Sequence, residues 1–146
     1  EYLHFVAGLY KLPNSRQRVM EVIELTGLTP ERKKKIGVLS KGYRQRVGLA
    51  QAIIHDPDVL ILDEPTAGLD PVASEILKEK IIAEKRKGKL ILVTSHILSE
   101  LDDLVTQVIY MQEGKLCFHK NINDLREDTG EQKLSKAIAS IMIKTS

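Results

Sequence analysis

At 146 residues and 42% hydrophobic side chains, the chain is long enough for one domain, or one and a half small ones, with a real core. Its 22 basic and 20 acidic residues leave a formal charge of +2, so the overall balance gives no argument for a nucleic-acid partner, and 4% aromatic content without Trp leaves few stacking platforms for single strands. A single cysteine, Cys117, excludes an internal disulfide and a Cys-rich metal site and fits a reducing compartment. No apolar run approaches the ~20 residues that span a bilayer and no signal-peptide pattern is read, so membrane association is expected through a partner.

In chain order, Leu3, Val6, Ala7 and Tyr10 share one face of a first helix that stops before Pro13. Asn14 or Ser15 caps a second, carrying Val19, Val22, Ile23 and Leu25, with Gly27 as its stop. Thr29-Pro30-Glu31 starts a short third helix. Arg32-Lys33-Lys34-Lys35 reads as a solvated turn, and a loop runs through Ile36 to Leu39. Ser40 opens a fourth helix, expected to reach about His55 with Tyr43, Val47, Ala50 and Ile54 inward, and Pro57 prevents its extension. Val59 to Leu62 is a continuous apolar run, as expected of a strand covered on both faces. Asp70-Pro71 caps and starts a fifth helix with Ala73, Ile76, Leu77 and Ile81 inward and Gly88 at its end; Leu90 to Val93 repeats the buried-strand pattern. A helix from about Ile97 to Val105 is expected next. A hairpin follows, with strands at Val108 to Met111 and Lys115 to Phe118 joined at Glu113-Gly114, and then one or two helices over Asn123 to Ile143.

The order predicts two parts: a helical segment, residues 1–55, and an α/β segment, residues 56–146, whose first two strands pair in parallel around a right-handed crossover. Parallel sheets bind ligands beyond the carboxyl ends of their strands. Asp63 and Glu64 stand where the first strand ends, Ser95 and His96 where the second ends, so two successive strands are expected to deliver polar groups to one rim. Along a strand Asp63 and Glu64 point to opposite faces; at its terminus one can turn to a metal and the other to the reacting group. Phosphates arrive with magnesium, which takes carboxylate and water oxygens, and Asp63 is the candidate to hold it through water. Glu64 is then the candidate general base for an attacking water, a role worth roughly 10²–10⁴ in rate. His96 could donate to a terminal phosphate oxygen. Ser40 caps a helix whose free amides and partial positive charge suit an anion, and Gly42 lets an anion approach the backbone. His4, His55 and His119 have no such setting and are read as structural or exposed. The phosphate-cradling motif G-x-x-x-x-G-K-[ST] does not occur; Gly88-Lys89 and Gly114-Lys115 are both followed by Leu.

Four stretches in this order closely resemble the nucleotide-binding domain of ATP-binding cassette (ABC) transporters. LSKGY, residues 39–43, is similar to the signature motif; VLILDE, 59–64, to the Walker B strand, with Glu64 at the catalytic glutamate; AGLD, 67–70, to the D-loop; and TSH, 94–96, to the switch-histidine loop. The resemblance covers nearly the whole chain, with the leading helices similar to the family's helical subdomain. It implies a partial P-loop NTPase-like core, with a mostly parallel sheet and helices, preceded by an all-helical subdomain. Lys41 departs from the usual first glycine of the signature, and Tyr43-Arg44 stand where Gln is commoner. Walker A, the adenine-stacking aromatic and the Q-loop are absent from this sequence, which reads as the C-terminal part of such a domain, either an excised segment or a gene fragment.

The resemblance implies ATP and Mg²⁺ as cofactors. Ser40, Gly42 and Asp70 would contact the ATP of an opposite protomer, while Asp63, Glu64 and His96 act on the chain's own site. It implies a second nucleotide-binding domain and transmembrane permease subunits as partners, no nucleic acid, and a peripheral place on the cytoplasmic face of the cell membrane. Without Walker A the chain alone is expected to bind ATP weakly and to be inactive. With a central strand missing, Val108 to Met111 could close the sheet or two copies could share edges. The alternatives are a soluble ABC ATPase acting on ribosomes or DNA, against which AGLD rather than Asn-His-Leu-Asp counts, and a non-catalytic module that only donates a signature motif.

Overall fold

The computed structural model describes residues 1–145 and divides into two compact units, Glu1–Thr94 and the segment from Ser95 onward. The first unit holds α1 (Tyr2–Leu9), α2 (Ser15–Leu25), α3 (Lys41–Ile53), β1 (Val59–Asp63), α4 (Pro71–Arg86) and β2 (Leu90–Thr94), with 3₁₀ turns at Thr29–Glu31 and Ile36–Val38. The second holds a 3₁₀ turn at Leu98–Glu100, then β3 (Gln107–Gln112), β4 (Lys115–Asn121), α5 (Ile122–Thr129) and α6 (Leu134–Thr145).

In the first unit the helix stops fall where the sequence puts them. Gly27 takes φ +67° after α2, and the Leu28 N–H returns to the Ile23 carbonyl at 2.8 Å. Asn14 occupies the N-cap of α2 in a left-handed conformation without a side-chain capping bond. The C-terminus of α3 is closed from outside: Arg18 donates from Nε to the Ile54 carbonyl and from Nη2 to the Ile53 carbonyl, both at 2.8 Å. The Ile54 carbonyl, with no partner inside the helix, is thereby satisfied, and the Ile53 carbonyl, which already accepts the Asp56 N–H at 3.0 Å, gains a second donor. Val6, Ala7, Val19, Val22, Leu49, Ala50, Ile53 and Ile54 form the buried centre among the helices.

The face that α3 buries differs from the expected one. Gly42, Arg46, Leu49, Ala50 and Ile53 are buried, a set turned by one residue from Tyr43, Val47, Ala50 and Ile54, although Ile54 is itself fully buried just past the helix. Arg46 lies on this buried face; it donates to the Gly27 carbonyl at 3.3 Å and stacks its guanidinium 4.5 Å from the Tyr43 ring centre.

β1 and β2 pair in parallel, in register from Val59↔Leu90 to Asp63↔Thr94, around α4. They form a two-stranded sheet covered on one face only. Leu60 is buried, whereas Val59, Ile61, Leu90 and Leu92 are exposed by 52%, 70%, 67% and 46%. The expectation of burial on both faces fails in this chain for want of a second covering layer. An ion cluster ties the far end of α4 to the segment before β2: the buried ammonium of Lys89 lies 3.0 Å from buried Glu84 and 2.7 Å from the exposed Asp56.

In the second unit no α-helix runs from Ile97 to Val105. Only the 3₁₀ turn forms, and Asp102 serves another purpose, accepting from the Leu134 N–H at 2.8 Å at the start of α6 and from Arg126 at 3.3 Å. β3 and β4 form an antiparallel hairpin with a bulge at Tyr110/Met111, turned at Glu113 and Gly114, both with positive φ as a two-residue hairpin turn requires. β3 pairs with β4 and not with the parallel pair, so it does not close that sheet. Ile122, Leu125, Leu134, Ala137 and Ile138 make this unit's core, with Leu98, Leu101, Tyr110 and Phe118 against it.

Candidate functional site

The chemistry-bearing residues of the first unit stand at the end of β1 and at the starts of α3 and α4. Asp63 closes β1 directly opposite Thr94. The Thr94 hydroxyl donates to Asp63 Oδ1 and accepts the Glu64 N–H at 3.1 Å, while the Thr94 carbonyl accepts the same N–H at 3.1 Å. Glu64 is held at φ +46°, a left-handed conformation that costs an ordinary residue of order 1–3 kcal/mol and is kept only where the surroundings enforce it. Strand alternation therefore stops at Asp63, and Glu64 belongs to the turn. The Ala67 N–H then bonds to the Glu64 carbonyl and the Leu69 N–H to the Thr66 carbonyl, both at 3.1 Å, with Gly68 at φ +67°. Pro65 and Thr66 are buried beneath this turn.

The turn delivers Asp70 as N-cap of α4, its carboxylate accepting the Ala73 N–H at 3.0 Å. Ser40 caps α3 in the same way, accepting the Tyr43 N–H at 3.3 Å. The two helix starts touch: a Cβ placed on Gly42 would stand 2.9 Å from the Ala73 Cβ, too close for any residue but glycine. Gly42 is buried, so close helix packing is by itself a reason for glycine there. The Lys41 ammonium lies over Gly68, in the space a Cβ there would need. Two helix N-termini with their partial positive charges thus start side by side, with Ser40 and Asp70 on their caps and Lys41 spanning to the 67–70 turn.

Asp63 is exposed at an open strand end, and its oxygen-only chemistry beside Glu64 suits a magnesium ion that keeps most of its waters and takes one or two carboxylates. Ser95 and His96 follow β2 in the second compact unit; the Ser95 hydroxyl accepts the Ile97 N–H at 3.0 Å, and His96 is exposed. Elsewhere, Tyr10 stacks flat on His55 with ring centres 4.0 Å apart, and His119 Nε2 meets Gln107 Oε1 at 2.7 Å.

Sequence reading passed over Thr94 as a side chain. The signal was available: a hydroxyl residue ending one parallel strand, opposite an acid ending its neighbour. It also passed over the inward Arg46 and the Lys41–Gly68 contact, which depend on how α3 rotates against α4.

A family model described as "ABC transporter" matches residues 4–67. An uncharacterized ABC transporter ATP-binding protein of Nostoc sp. is 40% identical over 86% of this chain and 38% of its own length. The ABC transporter ATP-binding protein NatA of Bacillus subtilis is 34% identical over 99% of this chain and 59% of its own length. The bacitracin transport ATP-binding protein BcrA of Bacillus licheniformis is 42% identical over 76% of this chain and 35% of its own. Among solved structures, one titled as the ATP binding subunit of an ABC transporter superposes with a TM-score of 0.79 at 26% identity, over 96% of this chain and 60% of that one. CbiO1 of Clostridium perfringens, titled as part of the ABC transporter complex cbiONQ, gives 0.73 at 27% identity over 97% and 59%. The chain thus spans between about one third and three fifths of the length of these relatives.

Proposed function

From a chain that belongs to the nucleotide-binding domains of ABC transporters, with a partial P-loop NTPase-like core, we propose the ATP-hydrolysing subunit of a transporter that couples ATP hydrolysis to movement of a substrate across a membrane. Asp63 would hold magnesium, and Glu64 takes the proton of the attacking water. His96 donates to the terminal phosphate. Ser40, Gly42 and Asp70 face the ATP of an opposite protomer. Magnesium, when bound, offsets the charge of the phosphates; positioning the water and moving its proton fall to the chain's own groups. The functional division falls near residue 55, between a helical part that meets the transmembrane permease subunits and a catalytic part, 56–146. Among the described residues no helix is long and apolar enough to cross a membrane, and we place the protein on the inner face through its permease.

The observation that supports this reading best is the end of β1. A carboxylate oriented by Thr94 and a second carboxylate on a strained, doubly hydrogen-bonded backbone are an arrangement that folding alone does not require. Replacing Glu64 by Gln in the full-length protein should leave ATP binding intact and stop turnover; normal turnover in that variant would remove Glu64 from the catalytic role. The 146-residue chain alone, lacking a phosphate-cradling loop and its lysine, forgoes several charge-assisted contacts and should bind ATP weakly without steady hydrolysis. Micromolar affinity with sustained turnover by this chain would contradict that.

A further inference from the structure

Lys41 breaks the local rule of its own helix. It is the first residue of α3, directly after the Ser40 cap, where free amides carry partial positive charge and a cation is disfavoured. No acidic residue stands in the first turn of α3 or of α4 to offset it. Among the described residues no carboxylate pairs with Lys41 either. Its side chain instead crosses to the turn that leads into α4. A Cβ built on Gly68 would run into the ammonium and stand 3.5 Å from Cε and 3.9 Å from Cδ. The outer half of the side chain thus lies along the turn, an arrangement that gives up rotamer freedom. Gly68 is glycine for two separable reasons. Its φ of +67° is one, and Asn tolerates that conformation too. The space taken by the ammonium is the other, and only glycine leaves it open.

Both ends of this bridge are anchored. On the α3 side, Gly42 packs against Ala73 at a distance that admits no larger residue. On the other side, the 67–70 turn is closed by the Ala67 N–H on the Glu64 carbonyl and the Leu69 N–H on the Thr66 carbonyl. Asp70 follows at once, its carboxylate occupied by the Ala73 N–H. We infer that Lys41 is a positioning residue: it clamps the 67–70 turn onto the start of α3 and so fixes Asp70 relative to Ser40 and Gly42. The inference rests on the reading above, which assigns those three groups to the ATP of an opposite protomer. What it adds is that they meet that ATP as one preassembled unit, not as two helix starts that become ordered on binding. Ordering done before binding raises affinity. It strengthens ground state and transition state alike, so it lowers the half-saturating ATP concentration and leaves kcat unchanged. A cation kept at a helix start against local preference fits a residue held for such a role.

The test uses the full-length protein. Lys41→Met keeps a long stem and removes the charge and its donors. It should raise the half-saturating ATP concentration about three- to tenfold, with kcat within about twofold of wild type. Tm should stay within about 2 °C, since the contact is exposed. Lys41→Arg, which keeps the charge, should restore half-saturation to within about twofold. Gly68→Asn keeps the left-handed backbone but puts a Cβ where the ammonium lies, so it should raise half-saturation by a similar factor. In the Lys41→Met background it should change little, because the contact is already gone. Effects of the two substitutions that multiply would overturn the clamp, as would unchanged half-saturation in Lys41→Met. So would a loss of kcat at unchanged half-saturation, which would make Lys41 a group acting on the reacting phosphate. Hydrogen exchange without nucleotide gives a readout apart from hydrolysis. The amides of residues 67–70 should exchange about threefold or more faster in Lys41→Met than in wild type; equal exchange refutes the clamp. A wild-type protein that never hydrolyses ATP yet shows this difference refutes the catalytic reading and leaves the clamp standing.

Discussion

The backbone of Glu64 offers a sharp test because strain and chemistry meet in one residue. At φ +46° an L-residue carries a penalty of roughly 1–2 kcal/mol that glycine escapes. Glycine in turn gains freedom in the unfolded chain, which costs roughly 0.4–1 kcal/mol. Glu64→Ala and Glu64→Gly both delete the carboxylate and every contact it makes, so their difference isolates the backbone. The glycine variant should be the more stable by about 0.5–1 kcal/mol, or roughly 1–4 °C in Tm for a protein of ordinary domain size. Urea and thermal unfolding of both variants, with ATP turnover assayed on the same samples, measure this. Turnover should be lost in both. If the alanine variant equals or exceeds the glycine variant in stability, the two hydrogen bonds from the Glu64 N–H to Thr94 do not enforce a left-handed residue in solution, and the argument from strain fails.

Thr94→Val removes the hydroxyl between Asp63 and Glu64 but keeps the backbone bond; stability should fall by no more than about 1 kcal/mol, while the Mg²⁺ concentration for half-maximal turnover of the full-length protein rises several-fold, and Thr94→Ser should restore it. Gly42→Ala should destabilise by about 1–3 kcal/mol through the Ala73 clash, and adding Ala73→Gly should recover most of that; simple additivity of the two in unfolding experiments would mean that the helix starts do not touch. Burial pushes the Glu84 carboxyl up, but hydrogen bonds from Lys87 and Lys89 outweigh it and hold it below the ordinary range; the Lys89 hydrogen bond likewise lowers Asp56. Both groups then contribute stability that is present above their unfolded pKa values and lost as pH falls through their lower folded ones, roughly from pH 5 downward. Lys89→Ala should cost about 2–3 kcal/mol, less than the ~3–5 of a fully orphaned buried partner because Lys87 still reaches Glu84, and should flatten that acid dependence in denaturation measured from pH 7 to pH 3.

The parts of the fold that were legible in the sequence are those set by local chemistry. Ser40 and Asp70 cap the helices they were expected to cap, Gly27 and Gly88 follow helix ends with positive φ, and Glu113-Gly114 turns the hairpin. The β1–α4–β2 unit follows from two apolar runs separated by one helix. Illegible were features decided by competition between distant groups. Arg46 lies on the buried face of α3, where the Gly27 carbonyl, 19 residues away, accepts its guanidinium. The 97–105 segment forgoes a helix while Asp102 serves the start of α6, 32 residues on. At the candidate site the two acids were visible as residue types, but the device that orients them was not, since the positive φ of Glu64 and the role of Thr94 exist only once β2 lies beside β1.

One disagreement between sequence and structure is informative in itself. A strand with one wet face alternates apolar and polar residues, and neither Val59-Leu60-Ile61-Leu62 nor Leu90-Ile91-Leu92-Val93 alternates. The structure nevertheless covers one face and leaves Val59, Ile61, Leu90 and Leu92 in solvent as an apolar row paired across the two strands. Four such side chains, each roughly half exposed, forgo about half of the ~1.5–3 kcal/mol that full burial of each is worth. The drive to cover this row is therefore several kcal/mol, comparable with the net stability of a domain. Sequence periodicity thus reports a sheet covered on both faces, whereas within the first unit only one face of β1 and β2 is covered.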